Sequence, residues 1–225
     1  MKSITIILLS LITIITVNAQ ANMFNEAYRF NKFMDKVKDP KGNQLTYADI
    51  EGNAYYSKGF ASAKIENATS LLKVRYNIYT DTVELLNEED IFELPKSTKY
   101  SPISFLNPAA TLVLYNIENL PQGYYFESTP GNFILLKKMK VEFREGAKAV
   151  NSFTPAIPPK FENLKPEFYL KTKFGVFLIP KKAIDFLEAL PEKKSEAGDF
   201  IKKNNIKLNQ EEDLVKLVNF LNTVK

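Results

Sequence analysis

The sequence predicts an α+β protein: a mainly antiparallel β-sheet or half-barrel, with a short N-terminal helix before it and a helical tail after it. Three observations indicate this class. Apolar and polar residues alternate over 72–78, prolines recur between Pro95 and Pro130, and helical spacing of apolar residues follows Pro180. A period of two is typical of a half-buried strand, and proline excludes a long helix. Strands are therefore expected to precede the helices of the tail.

Residues 1–19 are typical of a secretory signal peptide. Lys2 gives a short charged start, residues 4–16 are apolar except for Ser and Thr, and small residues precede a cleavage site between Ala19 and Gln20. The apolar run is shorter than the ~20 residues that span a bilayer, which favours a cleaved signal over a membrane anchor.

The chain after the signal is expected to form one secreted domain over residues 20–225, with a β-rich body over 20–180 and a helical tail over 181–225. No cysteine follows the signal, so we expect no lipoprotein anchor. No later run has the length of a membrane span, so we expect no integral membrane segment after cleavage. The expected location is the periplasm or the cell exterior.

A short helix is predicted over residues 25–37. Its apolar residues share one helical arc, and Asn25 with Glu26 provides a capping pattern. Pro40 and Gly42 then end the helix. The arc consists of Ala27, Phe30, Phe33, Met34 and Val37.

A β-hairpin is predicted over residues 72–85. A two-residue turn at Thr80 and Asp81 would close it, or a loop one residue longer, since Thr-Asp suits such a turn less well than Asn-Gly. In that register Tyr76 faces Leu85, and the apolar side chains of both strands share one face of the hairpin.

Short strands are expected along the proline-rich middle of the chain, because aromatic and β-branched residues cluster between turn residues there. A second hairpin is expected around Gly175. The expected strand segments are 111–115, 124–126, 132–136, 140–144, 167–170 and 176–179.

Three helices are expected in the tail. Apolar residues in 183–190 and 192–204 have helical spacing, and Pro191 separates these two helices. Asn209 is expected to cap the third helix, with Glu212 completing the capping pattern. The inward stripe of that helix consists of Leu214, Val218 and Leu221.

The composition excludes several functional classes. The chain contains no Cys and no His, which removes thiolate and imidazole metal sites, cysteine nucleophiles and Ser-His triads. The formal net charge is only +4, and most of the 30 basic residues are lysine rather than arginine, which disfavours nucleic-acid binding. We expect no cofactor, no metal and no nucleic-acid partner.

Local catalytic patterns are weak. Ser70 and Lys73 have the spacing of a Ser-x-x-Lys acyl enzyme, but that motif needs a helical turn and here it runs into a predicted strand. The acidic runs 88–90 and 211–213 lack the spacing of a calcium loop, and the second suits the first turn of a helix. A hydrolase that uses converging carboxylates or a Ser-Lys pair is therefore the alternative function.

Four segments occur in a recognisable order. They are a Gly-x-x-Tyr segment at 52–55, an Arg-Tyr-x-x-Tyr-x-Asp hairpin at 75–81, the phrase Phe-Tyr-Leu at 168–170, and a lysine-rich tail over 200–217. In these segments the chain resembles a family of uncharacterised secreted proteins of Bacteroidota-type Gram-negative bacteria. The resemblance implies an envelope location and a single β-then-α unit, and it implies no particular activity.

The candidate interaction residues are Arg75, Tyr79 and Asp81. Arg75 is expected on the outward face of the first hairpin, beside Tyr79 and diagonal to Glu84. There it either forms a cross-strand salt bridge or contacts an anion or a partner. If the pair is exposed, Arg75→Ala should cost about 1 kcal/mol or less. The lysine run 137–140 could likewise contact acidic lipid headgroups or simply face solvent.

These patterns predict a non-enzymatic secreted binding or interaction module of the cell envelope. Its partner would be an envelope protein, a lipid or a glycan. A purely structural accessory of an envelope complex is the second alternative.

Overall fold

The computed structural model describes residues 28–29, 36–38, 44–147 and 156–224. The signal sequence expected at 1–19 lies outside these residues. Within them the chain forms the following strands and α-helices in order: β1 (Tyr28–Arg29), β2 (Lys36–Lys38), β3 (Gln44–Thr46), β4 (Ala61–Ile65), β5 (Leu72–Asn77), β6 (Thr82–Asn87), β7 (Asp90–Glu93), β8 (Ile103–Leu106), β9 (Ala109–Tyr115), β10 (Gly123–Glu127), β11 (Ile134–Lys138), β12 (Val141–Arg144), β13 (Lys160–Asn163), β14 (Glu167–Thr172), β15 (Gly175–Leu178), α1 (Ala183–Ala189), α2 (Lys194–Asn204) and α3 (Glu211–Thr223).

The α+β class is confirmed: antiparallel strands make up the body and helices make up the C-terminal tail. The described residues divide into two compact units. The first lies within Met1–Ala109 and Val141–Leu164, and the second within Ala110–Lys140 and Lys165–Lys225. Whether residues 20–225 act as a single secreted domain stays a prediction.

The first unit contains an antiparallel sheet with the strand order β1-β7-β6-β5-β4-β8. Alternate residues of β5 and β6 are fully buried, as their period of two requires: Val74, Tyr76, Val83 and Leu85. Two short two-stranded pairs, β2-β3 and β12-β13, belong to the same unit. The strands β4, β7 and β8 are not expected from the sequence, because each is short and carries little alternation.

The β5-β6 hairpin has a longer connection than predicted. Asn77 pairs with Thr82, so four residues rather than two connect the strands, and Tyr76 pairs with Val83 instead of Leu85. The Asn77 side chain causes this, because its Oδ1 accepts hydrogen bonds from the N–H groups of Tyr79 (3.1 Å) and Thr80 (3.2 Å) and starts the turn early. The register changes by two residues, which leaves every side chain on its expected face.

The N-terminal helix predicted over 25–37 is wrong where the structure describes it. Residues 28–29 form β1, which pairs with β7, and residues 36–38 form β2, which pairs with β3. Apolar spacing alone is a weak signal over so short a segment, and pairing with distant strands overrides it. The other residues of this predicted helix lie outside the described ranges.

The second unit contains an antiparallel sheet with the strand order β9-β10-β11-β14-β15. The three helices cover one face of it through a continuous apolar cluster. Phe186, Leu190, Leu214, Val218 and Leu221 are fully buried there against Leu135 and Leu170 of the sheet. The expected inward stripe of the third helix is therefore confirmed.

The start of α3 differs from its prediction. Gln210 is the N-cap residue rather than Asn209, and no side chain caps the helix there. The Asp213 carboxylate instead accepts a hydrogen bond from the Lys207 N–H at 3.0 Å, which lowers the pKa of Asp213. No helix among the described residues combines the length and apolar character that crossing a membrane requires.

Candidate binding site

The β14-β15 hairpin closes with a two-residue turn formed by Lys173 and Phe174. The Thr172 hydroxyl stabilises this turn: it accepts a hydrogen bond from the Phe174 N–H at 3.1 Å and donates one to the Gly175 carbonyl at 3.3 Å. Gly175 has φ +144°, a conformation that other residues rarely adopt. The turn therefore projects the Phe174 side chain outward, and this residue is 71% exposed.

An apolar hollow of about 430 Å³ lies beside β15. The strand provides one side of it, and the residues at the end of α1 provide the other. The lining consists of Thr172, Phe174, Gly175, Val176, Phe177, Ala189, Pro191 and Glu192. Its volume falls within the ~300–1,000 Å³ that is typical of ligand pockets.

Four lysines flank this hairpin, and residues 171–182 contain no acidic residue. Lys171, Lys173, Lys181 and Lys182 form no ion pair with any carboxylate in the described part of the chain. The Lys173 ammonium lies 4.7 Å from the centroid of the Phe174 ring. This surface is not among the sites predicted from the sequence, although lysines before and after an apolar strand, with no acid between them, are visible there.

The lysine run 137–140, a possible contact for acidic lipid headgroups from its sequence, forms ion pairs and a hydrogen bond within the second unit. Lys137 forms an ion pair with Glu211 (2.6 Å), and Lys140 forms one with Glu167 (2.5 Å). Lys138 donates a hydrogen bond to the Tyr124 carbonyl at 3.0 Å. Ion pairs and a hydrogen bond within the unit therefore account for this run, whereas among the described residues the ammonium groups of Lys171 and Lys173 contact only the aromatic rings of Tyr115 and Phe174, at 5.6 and 4.7 Å.

A buried tyrosine cluster lies on the sheet face opposite the helices. The rings of Tyr115, Tyr125 and Tyr169 meet edge to face, with centroid separations of 6.0 and 5.6 Å. Burial raises the pKa of Tyr169 to about 12, and its hydrogen bond to Glu167 adds to this effect. The hydrogen bond from Lys140 lowers the pKa of Glu167. The tyrosine is thus held protonated, which suits a structural role and does not suit a nucleophile.

Folding stability should fall between pH 10 and about pH 12. Unfolded Tyr169 ionises near its ordinary value of 10, while the folded protein retains the proton up to about 12, so the contribution is complete below pH 10 and is lost as the pH rises. Urea unfolding at a series of pH values measures the free energy of unfolding. Between pH 10 and about 12 this free energy should fall less steeply for Tyr169→Phe than for the wild type. Equal pH dependence of the two proteins would contradict the raised pKa of Tyr169.

A second hollow, of about 520 Å³, lies between α2 and α3. Phe200 and Phe220 stack within its lining at a centroid separation of 4.2 Å. The rest of the lining mixes charges of both signs, from Glu196, Asp199 and Lys203. The hollow beside β15 is the better candidate, because its lining contains one acidic residue, Glu192, and it adjoins an exposed aromatic ring and lysines without ion pairs.

Arg75 forms the cross-strand salt bridge that was one of its two predicted roles. Its Nη2 lies 2.5 Å from Glu84 Oε2, and its Nε donates to the same oxygen at 2.9 Å. The outward exposure expected for Arg75 is wrong: its side chain is 14% exposed, and Glu84 is completely buried. The rings of Tyr55 and Phe60 cover the guanidinium, with centroids 3.7 and 4.6 Å from Cζ.

Tyr79 and Asp81 do not join Arg75 in one polar site. Asp81 accepts hydrogen bonds from the Tyr76 hydroxyl (2.7 Å) and from Lys96 Nζ (2.5 Å). The exposed Tyr79 packs its ring 5.2 Å from that of Phe161. An interaction surface at Arg75, Tyr79 and Asp81 stays a prediction, and the contacts of these residues have structural explanations.

The Ser-x-x-Lys pattern is not assembled as a catalytic pair. Ser70 lies in a bend outside the strand, whereas Lys73 belongs to β5, so no helical turn places the lysine under the serine. The acidic run 211–213 forms the first turn of α3. The described residues contain no group of three or more acidic residues placed to hold a metal ion.

The chain matches no protein-family model, no curated protein and no solved structure. The resemblance to secreted proteins of Bacteroidota-type bacteria therefore stays a prediction from the four segments that carry it. Function is inferred from the contacts, charges and exposure of the chain's own residues.

Proposed function

We propose that this protein is a non-enzymatic secreted binding protein of the cell envelope, and that the β14-β15 hairpin with its adjoining hollow is its binding surface. One observation carries the proposal: the exposed ring of Phe174, the apolar hollow and lysines without ion pairs occur together at one hairpin. An apolar concavity with a few charged groups at its rim is the usual form of a recognition site.

The envelope location rests on the signal pattern of residues 1–19 and on the resemblance to secreted proteins. The lack of cysteine after the signal supports a protein that is free of a lipid anchor. Its partner is therefore expected among the proteins, lipids or glycans of the periplasm or the cell exterior.

Affinity capture tests this function. The exported protein, whose N-terminus should lie at or near Gln20, is incubated with detergent-solubilised envelope, and bound proteins and lipids are identified by mass spectrometry. Phe174→Ser should lower the recovery of the specific partner about tenfold, which is the effect of losing one central apolar anchor. The melting temperature of the Phe174→Ser variant should equal that of the wild type, because the Phe174 ring is mostly exposed.

The matched control is Leu71→Ser, which removes an exposed apolar side chain in the first unit. This variant should capture the partner as the wild type does. Recovery that is identical for wild type, Leu71→Ser and Phe174→Ser would reject the hairpin as the binding surface. Turnover of envelope glycans or peptides by the purified protein would instead favour the hydrolase alternative.

A further inference from the structure

We propose that the open edge of β15 binds an extended, acidic peptide segment of a partner protein as an added β-strand. This inference rests on the proposed function and names the ligand class of the same hairpin. It depends on three observations: which residues of β15 direct their backbone hydrogen-bonding groups away from β14, the hollow beside the strand, and the lysines around it.

The backbone of β15 has groups directed away from its partner strand. The Ile179 N–H donates to the Phe168 carbonyl of β14 at 2.8 Å. In an antiparallel ladder only every second residue exchanges hydrogen bonds with its partner, so Phe177 and Ile179 direct their N–H and C=O groups toward β14. Val176 and Leu178 therefore direct theirs away from it.

β15 is the last strand of the sheet, so no described strand of the sheet lies on the side to which the N–H and C=O groups of Val176 and Leu178 point. A strand edge with unused donors and acceptors is a template for another strand. An incoming peptide could pair with the backbone of Val176 and Leu178 without displacing any contact between β14 and β15.

The hollow gives such a peptide a place for a side chain. It is lined by Gly175, Val176 and Phe177 of the edge strand, so it adjoins the backbone groups that would bind the peptide. Side chains of a strand alternate between the two faces. One apolar side chain of the peptide would enter the hollow, and its neighbours would point to the other face, where Leu178 is 52% exposed.

The charge around the edge selects an acidic ligand. Lys171 and Lys173 precede the edge strand, Lys181 and Lys182 follow it, and no acid lies between them in the sequence. Glu192 is the one acidic residue in the lining of the hollow, so the acidic side chains of the peptide are expected beside the lysines and an apolar one in the hollow. A second copy of this chain paired along the same edge would bring two such lysine groups together, and like charges repel. An anionic bilayer would suit the lysines and Phe174, but it would leave the strand-edge N–H and C=O groups without partners.

The test is a phage-display selection of random dodecapeptides on the wild-type protein, followed by anisotropy measurements with the selected peptides in synthetic, fluorescent form. The selected peptides should be enriched in Asp and Glu and should carry apolar residues at alternate positions. Lys173→Glu should weaken their binding about tenfold, because it reverses one charge beside the edge strand.

Two variants separate backbone pairing from side-chain contact. Leu178→Pro removes an N–H that is not part of the β14-β15 ladder, a change that an edge strand tolerates, and it should weaken binding about tenfold beyond the effect of Leu178→Ala. N-methylation of the peptide tests the same point with the wild-type protein. Methyl groups at one set of alternate residues should abolish binding, and methyl groups at the other set should have little effect.

Equal affinity of Leu178→Pro and Leu178→Ala, or equal effects of both methylation sets, would overturn strand addition. A selection that yields no peptides rich in Asp and Glu with apolar residues at alternate positions would also overturn strand addition. If vesicles of phosphatidylglycerol and phosphatidylcholine bind in a Phe174-dependent way while no peptide is selected, the ligand is a lipid surface and the binding function stands. If Phe174→Ser also leaves the envelope capture unchanged, the hairpin is not the binding surface, and the proposed function of this site fails together with the inference.

Discussion

The Arg75→Ala variant should lose about 3–5 kcal/mol of its free energy of unfolding, because the substitution leaves a buried carboxylate without its cation. Glu84 is completely buried, and both hydrogen bonds from Arg75 reach its Oε2. The rings of Tyr55 and Phe60 also lose the guanidinium that they cover. Urea unfolding followed by circular dichroism measures the loss.

Removing both charges provides the control for this prediction. A double variant, Arg75→Met with Glu84→Leu, should be much more stable than Arg75→Ala, since an apolar pair of similar volume often replaces a buried ion pair without loss. A loss of about 1 kcal/mol or less for Arg75→Ala would mean that the pair is solvated, because an exposed ion pair contributes no more than that. Such a result would contradict the burial of Glu84.

The Tyr76→Ala variant should also lose about 3–5 kcal/mol, because it empties the volume of a buried aromatic ring. Tyr76 is 1% exposed, and its hydroxyl donates a hydrogen bond to Asp81 at 2.7 Å. The same urea unfolding measurement applies. A small loss for Tyr76→Ala would show that the ring faces solvent and that the register of β5 and β6 is incorrect.

Tyr76→Phe separates the two contributions at this position. It keeps the ring and removes only the hydrogen bond to Asp81, so it should cost about 1 kcal/mol. Alternation in the sequence places Arg75 and Tyr76 on opposite faces, which predicts a loss of about 3–5 kcal/mol for Tyr76→Ala and of about 1 kcal/mol or less for Arg75→Ala. In the structure both faces of the strand are covered at this point, so both substitutions are expected to be costly.

The type of an element follows from the sequence where local periodicity is strong, whereas the short strands β4, β7 and β8 carry no such pattern. The alternation over 72–77 predicts β5, the segments 167–170 and 176–179 predict the hairpin of β14 and β15, and helical spacing predicts α1 to α3. Strand faces are equally local, since a register change of two residues in the β5-β6 hairpin left them intact. The predicted helix over 25–37 failed where residues 28–29 and 36–38 pair with other strands, because distant pairing overrides a weak local pattern.

What covers each face was decided only by the tertiary structure, because coverage depends on residues far apart in the sequence. Tyr55 and Phe60 turn the expected outward side of Arg75 into a buried one. Glu211, which is 74 residues from Lys137, forms an ion pair with that lysine. The lysines beside β15 form no such ion pair among the described residues, although they belong to the same unit as the run 137–140. The sequence alone therefore determined the strands and helices whose local periodicity is strong, and the three-dimensional pairing of strands, charges and rings decided the short strands and the surface that is left for a partner.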